Sequence, residues 1–151
     1  MNDTYRRTLW GVAYGLVASV IFSLFIAVLA NGLAGGGGAE GWFWFFGGLS
    51  IPLCITLGIA GYFHAFQALS RSKFWFLCAF IGFINVLYMG TAGAIMGSSL
   101  AFGGLRQVNV SGYWVWGPVY AICCLPLSTA AAAFLLSAFR NFLKIRGLLQ
   151  E

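Results

Sequence analysis

The side chains of this 151-residue chain that could do chemistry are few: Cys54, Cys78, Cys123 and Cys124, three methionines, a single histidine and one amide, Asn85, deep in an apolar run. Thiolate and thioether groups suit Cu(I), and Cys54, Cys123 and Cys124 stand at comparable depth in their runs, with Met89 and Met96 as possible companions. No CxxC or MxxxM spacing accompanies them, so they read as small or adaptable apolar fillers. All four cysteines lie inside apolar runs, away from the loops where a secreted disulfide framework would sit. A single histidine excludes a bis-His haem or a zinc-type cluster from this chain alone. That residue, His64, lies toward the end of an apolar run and reads as a hydrogen-bonded interface residue. The acids Asp3, Glu40 and Glu151 all fall outside the apolar runs, which leaves neither a Ser/His/Asp set nor a carboxylate pair. The sequence therefore predicts no catalytic residue, no metal site and no cofactor.

Asn85 is the sharpest residue that remains. An unpaired amide in hydrocarbon costs several kcal/mol, so its partner is expected in another helix, in a second copy of the chain or in water. A structural interhelical hydrogen bond of roughly 0.6 kcal/mol is the plainer reading, and a pore-lining or ligand-contacting role is the sharper one. On a helix at about 100° per residue, Cys78, Gly82, Asn85, Met89, Gly93 and Met96 fall on one side of the run that ends near Gly97. Phe80, Phe83, Leu87 and Ile95 fall on the other, so one side suits a partner and the opposite side suits lipid.

The elements that must position these groups follow from hydropathy. With 61% apolar residues, 7% charged residues and a mean hydropathy of +0.90, the composition is far from that of a soluble domain. Four apolar runs, at about 8–30, 42–69, 74–100 and 113–139, are each long enough to span a bilayer. The first is longer than a signal-peptide core and lacks a clear cleavage site, so it is expected to remain as an anchor. It carries Gly11 and Gly15 in GxxxG spacing, which permits close helix approach. The second begins with an aromatic belt at Trp42 and Trp44 behind Glu40, and contains Pro52, where a bend is expected. Between these two runs lies a four-glycine stretch at 35–38; no Lys-Ser or Lys-Thr follows, so it reads as a linker and not as a phosphate loop. The fourth run opens with Trp114 and Trp116, contains Pro118 and Pro126, and lines up Gly117, Tyr120, Ala121, Cys124, Ser128 and Ala131 on one face. The tail after Phe139 has the look of a short amphipathic helix on the membrane surface.

Charge sets the orientation. Arg6, Arg7, Arg71, Lys73, Arg140, Lys144 and Arg146 share one side of such a four-span arrangement, with Arg106 alone on the other. By the positive-inside rule both termini are cytoplasmic. The net charge of +5 comes from short clusters at the ends of apolar runs, not from a basic stripe, so no nucleic-acid partner is expected. Asn109, Val110 and Ser111 match the glycosylation sequon, a short and frequent pattern.

The expected fold is all-α: a single-domain four-helix transmembrane bundle with both termini inside, read as residing in a bacterial inner membrane. The residues expected to pack helices or face a pore are Gly82, Asn85, Met89, Gly93, Met96, Gly97, Gly11, Gly15, Cys124 and Ser128. The expected function is that of a non-enzymatic subunit, in contact with lipid, that assembles with copies of itself or with other membrane proteins. A small oligomeric channel or transporter for ions or uncharged solutes is the alternative, with Thr91, Ser98 and Ser99 joining Asn85 along the path.

Overall fold

The structure, a computed structural model, describes residues 2–34, 39–63 and 69–149, and all its regular elements are helical. In order they are α1 (Asp3–Ala34), α2 (Ala39–Tyr62), α3 (Arg71–Tyr88), a π-helical segment (Met89–Gly93), α4 (Ala94–Ala101), a 3₁₀ turn (Leu105–Gln107), α5 (Val110–Cys123) and α6 (Leu125–Ile145). α3, the π segment and α4 run on as one long helix. The four glycines at 35–38 and His64 lie outside the described residues, as do the side chains of Glu40, Trp42 and Trp44.

Three helices are long and apolar enough to cross a membrane: Asp3–Leu29, Phe45–Tyr62 and Arg71–Leu100. The fourth run departs from a single straight span. It is cut at Cys124 into α5 and α6, whose axes differ by 69°. Pro126 is the physical cause: it has no N–H to give to the carbonyl four residues back, and its ring crowds that carbonyl, so a new helix starts with the proline in its first turn. α5, with 14 residues, is about 21 Å long and too short to span alone; only the bent pair taken together would count as a fourth span. α2 runs to Tyr62, and residues 64–68 of the second apolar run lie outside the described residues.

α1 and α2 form a tight hairpin in which glycines of each helix meet the backbone of the other. A Cβ added at Gly11 would overlap the Leu57 carbonyl oxygen, and one at Gly15 would stand 2.7 Å from the Leu53 carbonyl oxygen. From the other side, a Cβ at Gly61 would lie 2.5 Å from the Arg7 carbonyl oxygen. The Cys54 thiol, 3.5 Å from the Val12 carbonyl, adds a weak sulfur hydrogen bond across this seam.

The largest buried side chains gather at one end, where α6 packs on α3 and on the start of α1. Phe139, Leu136, Leu143 and Cys78 are essentially sealed from solvent there. Tyr14 lies against Phe139 and Phe142, and Trp10 meets Phe142 edge to face with ring centroids 5.3 Å apart. The Arg146 guanidinium covers the Trp10 ring at 4.9 Å, a cation–π contact that ties α6 to α1.

The C-terminal tail corrects the expectation of a separate surface helix. α6 simply continues to Ile145 and closes in a Schellman motif: Leu148 N–H donates to Leu143 O (3.0 Å) and Gly147 N–H to Lys144 O (2.9 Å). Gly147 takes φ +64, which a residue without a Cβ adopts freely. Leu148 and Leu149 are thereby buried instead of lying on a lipid surface, and Arg7, only 7% exposed, donates to the Leu148 carbonyl at 3.4 Å.

Candidate functional site

About two thirds of the way along the third long helix, three departures from regular helix meet. The π segment Met89–Gly93 admits an extra residue into one turn, a distortion common at functional sites. α2 contains Pro52, which leaves the Gly48 carbonyl without its usual helical donor, and α5 contains Pro118, immediately after Gly117. All three come together through glycine. A Cβ at Gly93 would lie 2.9 Å from Gly48 Cα, one at Gly48 would lie 3.2 Å from the Met89 side chain, and one at Gly90 would lie 3.1 Å from Gly117 Cα. Gly117 in turn sits directly on the Thr91 methyl group.

One turn before the π segment stands Asn85, 7% exposed. Its Nδ2 donates to the Ile81 carbonyl of its own helix at 2.8 Å, a local partner four residues back. Its Oδ1 is buried and accepts no hydrogen bond. Reversing the amide would set two oxygens face to face, so chemistry fixes this orientation. The hydroxyls farther along the same helix are already engaged: Thr91 donates to Leu87 O at 2.6 Å, Ser99 donates to Met96 O at 2.8 Å, and the Ser98 and Tyr113 hydroxyls share a hydrogen bond of 2.8 Å. Asn85 Oδ1 is thus an acceptor with capacity to spare, beside loosened backbone. Such a place can bind a proton donor, a water or a cation.

The other residues singled out by sequence divide among several contacts. Gly82 meets α6, where a Cβ would lie 2.8 Å from the Ser128 carbonyl, while the Ser128 hydroxyl donates to Leu125 O at 3.2 Å. Met89 and Gly93 face Gly48, and Met96 reaches Gly47. Gly97 is buried. Gly11 and Gly15 form the α1–α2 seam. Cys124 departs from the expected face: at the break between α5 and α6 it is exposed, as are Cys123 and Tyr120, while Gly117 and Ala121 stay buried. Among the described residues no group of three or more His, Cys, Asp or Glu is close enough to hold a metal. Asn109 has a structural task, since its Oδ1 caps α5 by accepting from Gly112 N–H at 3.0 Å. Sequence reasoning missed the π segment and the role of Gly48, and it placed Gly117 on a small-residue face without its partner Gly90; the available signal was Pro52 four residues after Gly48 and Pro118 next to Gly117.

No family model matches this chain. No curated protein and no solved structure is significantly similar to it either. Its function has to be read from its own surfaces.

Proposed function

We propose that the chain is an integral protein of a bacterial inner membrane, both termini cytoplasmic, that serves as a non-enzymatic subunit of a larger membrane assembly. Insertion is supported by three spanning-length apolar helices and by outward side chains such as Val28, Phe76, Leu127 and Phe134, each at least 68% exposed. The glycine faces that could have argued for assembly are used up between helices of the same chain. The observation that carries assembly is the elbow between α5 and α6. Trp114, Trp116 and Tyr120 stand more than half exposed on α5, beside a 69° change of direction that straight lipid chains fill poorly. Exposed Trp and Tyr are the residues on which binding energy concentrates. The exposed Cys123 and Cys124 offer a built-in probe. A short bis-maleimide applied to native membranes is expected to give one discrete higher-mass band, absent from Cys123→Ser/Cys124→Ser. Trp116→Ala/Tyr120→Ala is expected to weaken the assembly by about tenfold or more. A chain that stays monomeric both in this experiment and in nanodiscs would rule the reading out.

The buried, unpartnered Asn85 oxygen favours a second reading, passage or binding of a small solute or ion at mid-depth. Asn85→Leu is then expected to cut flux in liposomes at least tenfold. The same change should raise stability by about 1 kcal/mol, because an unsatisfied acceptor is replaced by an apolar group of similar size. Unchanged flux across that substitution would remove Asn85 from any conduit.

A further inference from the structure

A cleft of about 590 Å³ opens between the start of α3 and the end of α6, well away from Asn85. Arg71, Arg140 and Lys144 line it, with Ser137 and Asn141 as neutral polar groups and Phe74 as an apolar wall. Among the described residues the lining carries three positive charges and no acidic residue. Arg140 and Lys144 are one helical turn apart, a like-charged spacing that is mildly unfavourable by itself and that an anion between them reverses. The first turn of α3 adds backbone N–H groups and the positive end of the helix dipole, and Ser70 makes no side-chain hydrogen bond to that turn. Two guanidinium forks beside a helix N-terminus match the tetrahedral oxygens of a phosphate.

What surrounds the cleft narrows the source of that phosphate. Leu69 borders it and also borders a shallow apolar groove of about 530 Å³ that runs along α3 past Phe76, Leu77 and Phe80, with Lys73 beside it. The basic cleft and the apolar groove thus share an edge and differ in chemistry, as the two parts of a phospholipid do. We infer that this end of the protein holds an anionic phospholipid, its phosphate between Arg71, Arg140 and Lys144 and an acyl chain along Phe76, Leu77 and Phe80. The inference rests on the membrane insertion proposed above. It adds a specific ligand to charges that the sequence reading used for orientation.

Native mass spectrometry of the purified full chain tests it, with phosphatidylglycerol, phosphatidylcholine and inorganic phosphate as probes. The expected result is one retained phosphatidylglycerol, bound at least tenfold more tightly than phosphatidylcholine. Arg71→Gln/Arg140→Gln/Lys144→Gln is expected to abolish that preference, since each basic residue near an anionic lipid contributes several-fold to affinity. Arg106→Gln, at the opposite end, should leave it unchanged, and Arg140→Lys should retain most of it. Should the triple variant fail to fold by circular dichroism, Arg140→Gln alone is read, with a loss of about fivefold expected. Equal binding of the two lipids, or undiminished binding by the variants, overturns the site. Inorganic phosphate binding as tightly as the lipid overturns the assignment to a lipid. Release of the protein from membranes by alkaline carbonate would instead overturn insertion itself, so the two failures are distinct.

Discussion

Phe139→Ala is expected to destabilise the fold by about 3 kcal/mol, as read by equilibrium unfolding in mixed micelles. Phe139 has 0% exposure and meets Tyr14 with ring centroids 5.4 Å apart, in the cluster that joins α6 to α1 and α3. Where the surroundings are lipid, moving a benzyl group out of the core gains or loses little by transfer, so the cost lies in contacts forfeited around a cavity. Phe134, on the same helix but 70% exposed, supplies the control, since its replacement by alanine should cost no more than about 0.5 kcal/mol. Equal losses from the two substitutions would mean that the core does not lie where α6 meets α1.

Gly11→Ala/Gly15→Ala is expected to cost a similar amount, about 2–4 kcal/mol, by the opposite mechanism of overfilling. The atoms that an added methyl would strike belong to the backbone of Leu57, Leu53 and Cys54, which cannot swing aside as a flexible side chain can. Relief requires α1 and α2 to move apart along their length, which also breaks the Cys54 to Val12 contact. Gly32→Ala is the matching control: a Cβ there meets nothing within 4 Å, and the added helix propensity should stabilise by about 0.5–1 kcal/mol. If Gly11→Ala/Gly15→Ala unfolds at the same detergent fraction as the unaltered chain, the seam is not a close one.

Much of this architecture is written in coarse features of the sequence. Long apolar runs bounded by arginine and tryptophan predict helices, and α1 and the long helix from Arg71 to Ala101 cover the runs so marked. Hydropathy, however, sums side-chain character without regard to direction, so it passes smoothly through Cys124 while Pro126 turns the chain by 69°. Small residues tell that a backbone comes close but not whose: GxxxG in α1 fixed a close approach, and only the structure supplies α2 as the surface approached. A single helical wheel fails for the third helix because the π segment widens its turn. Gly82, before that segment, faces α6, whereas Met89, Gly93 and Met96, within and after it, face α2. The Asn85 amide was recognisable as a group needing a partner, but its choice of the Ile81 carbonyl depends on a side-chain rotamer that no sequence pattern encodes.

The uneven distribution of large side chains gives the molecule leverage. Trp10, Tyr14, Phe139, Phe142 and Arg146 pin the α1–α2 hairpin to α6 near one end of α1. From Trp10 to the end of α1 the hairpin extends about 36 Å as a stiff arm. Partway along, it bears on the π segment and the start of α4 through Gly48 and Gly47, which meet the side chains of Met89 and Met96. A tilt of about 5° at the pinned end moves the far tip of such an arm by roughly 3 Å. A tilt at the pinned end is therefore carried along the arm toward the π segment.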